Sequence, residues 1–159
     1  MLYRKAILRD VEIIHLMAND YASEGKMLPR SLSSLYENIR DFLVAEEDGL
    51  LLGAGALHVL WDNLAEVRTV VVHAGHVRKG IGKRLVGGLL EEAKALGISK
   101  VFTLTYQQPF FEKCGFCVID KETLPQKVWT DCVNCPKFPN CDEICMVTDS
   151  GGSVNFASS

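Results

Sequence analysis

The chain has 159 residues, of which 48% are hydrophobic and 23% charged, enough for one domain with a substantial core. Its 17 Lys and Arg against 20 Asp and Glu leave a net charge of −3, which argues against a nucleic-acid partner. No apolar run approaches the roughly 20 residues of a membrane span, and Arg4, Lys5, Arg9, Asp10 and Glu12 break any signal-peptide core. The expectation is a cytoplasmic protein with no membrane partner. Its six cysteines are too few to form a disulfide scaffold in a chain of this length.

Leu2 to Ala6 reads as a first strand. Asp10 is placed to cap a helix with Val11, Ile14, Ala18 and Tyr21 on one face. Residues 24–30 break that pattern as a loop, and Ser31 can cap a second helix with Leu32, Leu35, Tyr36 and Ile39 inward. Phe42 to Glu46 reads as a strand ending in a hairpin turn at Glu47-Asp48-Gly49. Leu50 to Leu60 is a longer strand, in which Gly53 and Gly55 predict a bend or bulge. After Trp61-Asp62-Asn63, a strand from Leu64 to Val72 leads into the stretch around which the chain is organised.

That stretch is His73 to Arg84, a turn and a glycine-rich loop opening a helix. Gly80 and Gly82 let the backbone approach a ligand, and the first helical N–H groups favour an anion. Arg78, Lys79, Lys83 and Arg84 add positive charge with no acid between His73 and Arg84, a combination that suits a pyrophosphate. A dinucleotide fingerprint would need a third glycine where Leu85 stands, and a P-loop would need Ser or Thr where Arg84 follows Lys83.

The following helix carries Ile81, Leu85, Leu89 and Ala93 at four-residue steps, and Gly97 ends it. Gly87 and Gly88 each cost about 1 kcal/mol relative to alanine, which points to close packing on a sheet. A strand over Lys100–Thr105, a short helix over Gln107–Lys113 and a strand over Gly115–Ile119 complete the order β-α-α-β-β-β-α-β-α-β. The expected class is α/β, a mixed central sheet with helices on both faces. Beyond Leu124 the composition changes. Lys127-Val128-Trp129 is a further candidate strand. Cys132, Cys135, Cys141 and Cys145, spaced C-x2-C-x5-C-x3-C, can wrap one structural zinc or stay reduced in a packed tail. Cys114 and Cys117 read as core residues. The expected domain spans 1–147, with 124–147 as a Cys-rich extension and 148–159 as a flexible tail.

The loop resembles the acyl-CoA loop of GCN5-related N-acetyltransferases (GNAT), [QR]-x-x-G-x-[GA], with Val77 at the first position and Arg78 one place later. Pro109 to Phe116 resembles the family's F-[YF]-x-x-x-G-F segment, and the element order is also that of the family. Met27-Leu28-Pro29-Arg30-Ser31, Leu35 to Phe42, Ala65 to Val72 and Asp131 to Cys141 look like short, stand-alone N-acetylglutamate synthases. The resemblance implies acetyl transfer from acetyl-CoA to the α-amine of L-glutamate by direct attack in a ternary complex.

On that resemblance, Val70, Val71, Val72, Arg78, Lys79, Gly80, Ile81, Gly82 and Lys83 hold the cofactor. The backbone N–H of Val71 or Val72 serves as oxyanion donor. Glu66 is the candidate base, with His58 and His73 as weaker ones. A dicarboxylate acceptor needs cations, for which Lys26, Arg30 and Arg68 are candidates. Where the family often has a tyrosine acid this chain has Phe111, and Tyr106 is a substitute candidate. The alternatives are another amine acceptor (an amino acid, a polyamine or a protein N-terminus) and a non-catalytic CoA-binding regulator. Oligomeric state is left open, a homodimer included.

Overall fold

The computed structural model describes residues 1–77, 79–124 and 142–149. They form β1 (Leu2–Lys5), α1 (Val11–Ser23), α2 (Leu32–Glu37), β2 (Phe42–Glu47), β3 (Leu50–Trp61) and β4 (Leu64–Val72). After the glycine-rich loop come α3 (Ile81–Leu96), β5 (Lys100–Thr105), α4 (Gln108–Lys113), β6 (Cys117–Val118) and β7 (Ile144–Asp149). The seven strands make one sheet in the order β1-β2-β3-β4-β5-β7-β6. Every pairing is antiparallel except β4 with β5.

Helices cover both faces, as the sequence predicts. Val11, Ile14 and Ala18 of α1 and Leu35 of α2 pack on Val44, Ala54, Ala56 and Val71. Val86, Leu89 and Ala93 of α3 pack with Phe111 of α4 on Leu57, Ala65, Val67 and Val101 of the opposite face.

Local chemistry explains most boundaries. Ser31 Oγ accepts the Ser34 N–H at 3.1 Å and starts α2. That helix stops at Glu37, before the expected Ile39, and a 3-10 turn over Ile39–Asp41 follows. Asp48 and Gly49 both take positive φ (52° and 77°), the hairpin geometry that an Asp-Gly pair favours. At the end of α3, the Ile98 N–H reaches Ala93 O at 2.8 Å and the Gly97 N–H reaches Lys94 O at 3.0 Å, a Schellman closure around a left-handed glycine.

Asp10 does not cap α1 with its side chain. Its carboxylate closes the preceding 3-10 turn by accepting the Ile7 N–H at 2.8 Å, and it receives Arg4 at 2.8 and 3.1 Å. Burial pushes the Asp10 carboxyl up, but Arg4 and the Ile7 N–H outweigh it and hold it below its usual 3.8.

The strand β7 is the main departure from expectation. The chain returns between β5 and β6, and Thr148 and Asp149, expected in a tail, pair with Val101 and Lys100. Ile144, Val147 and Thr148 are β-branched and fit a pleated sheet; the cysteine spacing drew attention away from them. Cys145 is 2% exposed among Leu64, Phe102 and Leu124. Burial pushes its thiol up to about 11. Cys132, Cys135, Cys141 and the candidate strand Lys127–Trp129 lie outside the described residues. Among the described residues no cluster of three metal-ligating side chains occurs, and no helix is long and apolar enough to cross a membrane. Cys114 is half-buried, whereas Cys117 is exposed on β6 and is not a core residue.

Close packing accounts for one glycine of the Gly87–Gly88 pair. A Cβ on Gly88 would lie 2.6 Å from Leu43 Cδ2, while one on Gly87 meets nothing within 4 Å. Gly87→Ala is therefore expected to stabilise the protein by about 1 kcal/mol in urea unfolding. Gly88→Ala should gain less, or lose, because Leu43 must move. For Asp10, whose folded value lies below its unfolded one, the stabilisation is present above the unfolded value and is lost as pH falls through the folded value. Asp10→Asn should unfold more easily than the parent at neutral pH, and the gap should close in acid.

Candidate active site

Strand β4 is paired on both sides only at its start. Leu64, Ala65 and Glu66 pair with Lys100, Val101 and Phe102 of β5. Thr103 Oγ1 then donates to Val67 O at 2.9 Å, and beyond it the two strands part. Strand β5 continues with β7 as partner through Thr105. From Arg68 to Val72 the outer edge of β4 has no strand partner among the described residues.

A bulge coincides with this opening. Ala56 pairs with Arg68 and Ala54 with Val71, so Thr69 and Val70 stand opposite Gly55 alone. The sequence predicts a bend or bulge at the β3 glycines; against β2 the strand β3 does carry an extra residue, Leu52, beside Gly53, while opposite Gly55 the extra residue is on β4. Thr69 takes it up with φ of 55°, a left-handed conformation that a β-branched residue rarely adopts. The inserted residue also shifts the alternation of faces. Arg68 and Val71, three apart, both lie on the α1/α2 side with their partners Ala56 and Ala54. Val70 and Val72 face the α3 side.

The exposed edge carries one hydrogen-bond donor of interest. The His73 N–H donates to Leu52 O on β3 at 2.7 Å. Strand alternation sends the Val72 N–H to the opposite edge, where it donates to the Tyr21 hydroxyl at 3.1 Å. By the same alternation the Val71 N–H turns to β3. Of the two expected oxyanion donors, only Val72 faces the opening.

The glycine-rich loop follows directly. His73 Nδ1 accepts the Gly75 N–H at 3.3 Å, so this histidine shapes the turn. His76 Nδ1 lies 2.9 Å from Lys79 Nζ. Gly80 has φ of 76° at the start of α3, in open space, where a Cβ-bearing residue would be strained. The first N–H groups of α3 have no intrahelical acceptor. Lys79 and Lys83 are exposed beside them. Ile81 is buried with Ala45 and Leu52, and a Cβ on Gly82 would lie 3.0 Å from the Phe110 ring. Those two residues therefore seat the helix on its neighbours. Arg84 turns away to stack on Tyr3 at 4.9 Å, and Arg78 lies outside the described residues.

On the α1/α2 face, a shallow, open cleft lies between α2 and strands β3 and β4. Arg30, Ser34, Asn38, Asp41, Arg68 and Thr69 supply its polar lining. Arg30 Nε donates to Thr69 Oγ1 at 3.3 Å. Arg68 Nε donates to Glu66 Oε1 at 2.7 Å, the side chains being 13% and 11% exposed. His58, opposite Glu66 in the ladder, holds Asp41 at 2.7 Å.

Two predicted substrate residues, Arg30 and Arg68, thus meet at one cleft. The third does not line it. Lys26 binds Glu24 at 2.8 Å, which raises its ammonium pKa, and sits 5.2 Å over the Tyr21 ring. Phe111 is buried edge-on between Phe110 and Phe116, at 4.9 and 5.3 Å. Tyr106 gives its hydroxyl proton to Asp142 at 2.6 Å.

Sequence reasoning missed Thr69, Asp41 and the hydroxyl of Tyr21. Tyr21 was visible only as a member of an apolar helix face, and the strain at Thr69 has no local signature. The strain is testable without any ligand. Thr69→Gly and Thr69→Ala both remove the hydroxyl, but only glycine relieves the left-handed backbone. Thr69→Gly should be the more stable of the two by about 1–2 kcal/mol in denaturant unfolding.

The comparisons agree with this geometry. Residues 11–116 match the model of the Acetyltransferase (GNAT) family. An amino-acid acetyltransferase of Mycobacterium tuberculosis is 37% identical over 93% of this chain and 79% of its own length. A solved structure from the same organism, in complex with CoA and NLQ, superposes with a TM-score of 0.81 at 32% identity, covering 94% of this chain and 99% of that one. N-acetylglutamate synthase from Neisseria gonorrhoeae, complexed with coenzyme A and N-acetyl-glutamate, shares the fold at a TM-score of 0.85 and 24% identity, over 94% of this chain and 35% of that one. With its family match spanning the parted strands, the loop and the cleft, this chain belongs to the GNAT acetyltransferase family.

Proposed function

We propose that the protein transfers the acetyl group of acetyl-CoA to the α-amine of L-glutamate, as an N-acetylglutamate synthase does. The observation that carries this reading is the convergence of Arg30 and Arg68 on one cleft beside the open edge of β4. Two guanidinium groups suit an acceptor with two carboxylates, which they can hold through paired, charge-assisted bonds. A polyamine would meet two like charges there. The amino-acid acetyltransferase of M. tuberculosis supports an amino-acid acceptor, and the CoA-bound relative supports coenzyme A as the donor's carrier.

In this reading the pyrophosphate of acetyl-CoA lies on the N–H groups of Gly80, Ile81, Gly82 and Lys83, with Arg78, Lys79 and Lys83 around it. The acyl arm runs along the edge of Val70, Val71 and Val72 towards Glu66. The acceptor enters as an ammonium and must lose a proton before it can attack. Glu66 takes that proton, directly or through a water. Arg68 engages its Oε1 and leaves Oε2 for the task. The amine nitrogen then bonds to the thioester carbon, the Val72 N–H stabilises the oxygen as it becomes negative, and the C–S bond breaks. Coenzyme A leaves as a thiolate, which takes up a proton, and the N-acetyl amino acid remains. Arg68 touches both the base and the cleft, so it couples the acceptor's carboxylate to the group that deprotonates its amine.

Thiol release from acetyl-CoA, followed with glutamate against a panel of amino acids and polyamines, tests the acceptor. Glutamate should lead the panel; a polyamine in first place, or no turnover with any amine, would overturn the assignment. Glu66→Gln should lower kcat by about 100-fold or more with little change in the KM for acetyl-CoA. Arg30→Ala should act mainly on the KM for the acceptor, and steady-state kinetics separate the two effects.

A further inference from the structure

The bond between the Tyr21 hydroxyl and the Val72 N–H joins α1 to the open edge of β4, between residues 51 apart in sequence. By strand alternation this amide lies on the edge that a ligand along β4 can meet. A half-buried phenol normally satisfies both its lone pair and its proton. Tyr21 Oη accepts from Val72 N, yet its own proton has no acceptor among the described residues. Lys26 lies over the same ring with its ammonium 5.2 Å from the centroid.

We infer that Tyr21 is the second donor to the acetyl carbonyl oxygen, working with the Val72 N–H. The inference rests on the reading that acetyl-CoA lies along this edge. In the free protein the hydroxyl oxygen stands 3.1 Å from Val72 N, within the range at which a carbonyl oxygen would accept that N–H. Both oxygens cannot take one N–H at full strength. When the acyl group arrives, Oη must give way by about one hydrogen-bond length, roughly 2.7 Å. The smallest such movement keeps the hydroxyl in contact with the incoming oxygen, and its unused proton is then the group that faces it. The free protein thus holds a stand-in for the carbonyl, and the bound form exchanges that contact for two donors on one oxygen. As the amine attacks, the C=O pair moves onto that oxygen, and two donors stabilise the charge where one would be weaker. No proton changes owner in this role.

Tyr21→Phe keeps the ring and its packing and removes only the hydroxyl. It should lower kcat by about tenfold or more, in line with the loss of one oxyanion donor. The KM and the calorimetric affinity for acetyl-CoA should stay level or improve, since nothing competes for the Val72 N–H. The slow hydrolysis of acetyl-CoA without any amine should fall by the same factor, which frees the test from the acceptor's identity. Infrared spectroscopy of protein-bound acetyl-CoA labelled with carbon-13 at the carbonyl gives a readout that a purely structural tyrosine would not move. The carbonyl stretch should lie at lower frequency in the parent than in Tyr21→Phe. Binding of acetyl-CoA with unchanged kcat, or an unchanged carbonyl stretch, would overturn the inference alone. Failure of the parent protein to bind acetyl-CoA would overturn the site reading beneath it.

Discussion

Strand β4 keeps β5 as a partner for three residues and then runs on without it. A sheet interior ordinarily satisfies backbone groups on both sides of every strand. Here one row of them is withheld, and β5 stays in the sheet beyond that point through β7, which pairs along its other edge. The opening is therefore not a defect at an edge. It is a slot in the middle of the sheet, with α1 and α2 on one side and α3 and α4 on the other.

The bulge at Thr69 and Val70 determines what faces the slot. Without the extra residue, the alternation would put Arg68 and Val71 on opposite faces. With it, the polar run of Glu66 and Arg68 and the apolar Val71 share the α1/α2 face. The left-handed Thr69 is the conformational cost of this arrangement, and its hydroxyl is also the group that Arg30 reaches. Backbone strain and the hydrogen bond to Arg30 thus fall on the same residue.

How much of this was legible in the sequence divides by range. Features set within a turn or two were readable: Ser31 as a cap, Asp48-Gly49 as a hairpin, Gly97 as a helix end and Gly80 at the mouth of α3 all do in the structure what their chemistry suggests. The convergence of Arg30 and Arg68 was reachable because a resemblance, not a periodicity, singled them out. Features that depend on distant partners were not readable. Asp10 has the right type for a cap, but Arg4 and Ile7 take its carboxylate. Gly88 makes room for Leu43 from another strand, while its neighbour Gly87 has no such reason. The irregularity of β3 beside Gly53 was readable from the glycine, whereas the extra residue opposite Gly55 lies on β4 at a threonine, which carries no such signal. The hydroxyl of Tyr21 reaches across to β4 from a helix position that the apolar pattern fully explains.

The insertion of β7 has a bearing on how the molecule comes into being. Strand β5 is bordered on one side by only three residues of β4, and on the other by six of β7. During synthesis the ribosome delivers β1 to β5 and both faces of helices first, while Ile144–Asp149 is still being made or sits in the exit tunnel. Over that interval β5 exposes a long row of unpaired amides, the kind of edge that invites association with other chains. The nascent protein is accordingly most vulnerable just before β7 emerges, and a chain truncated ahead of residue 144 would retain that vulnerability for its whole lifetime.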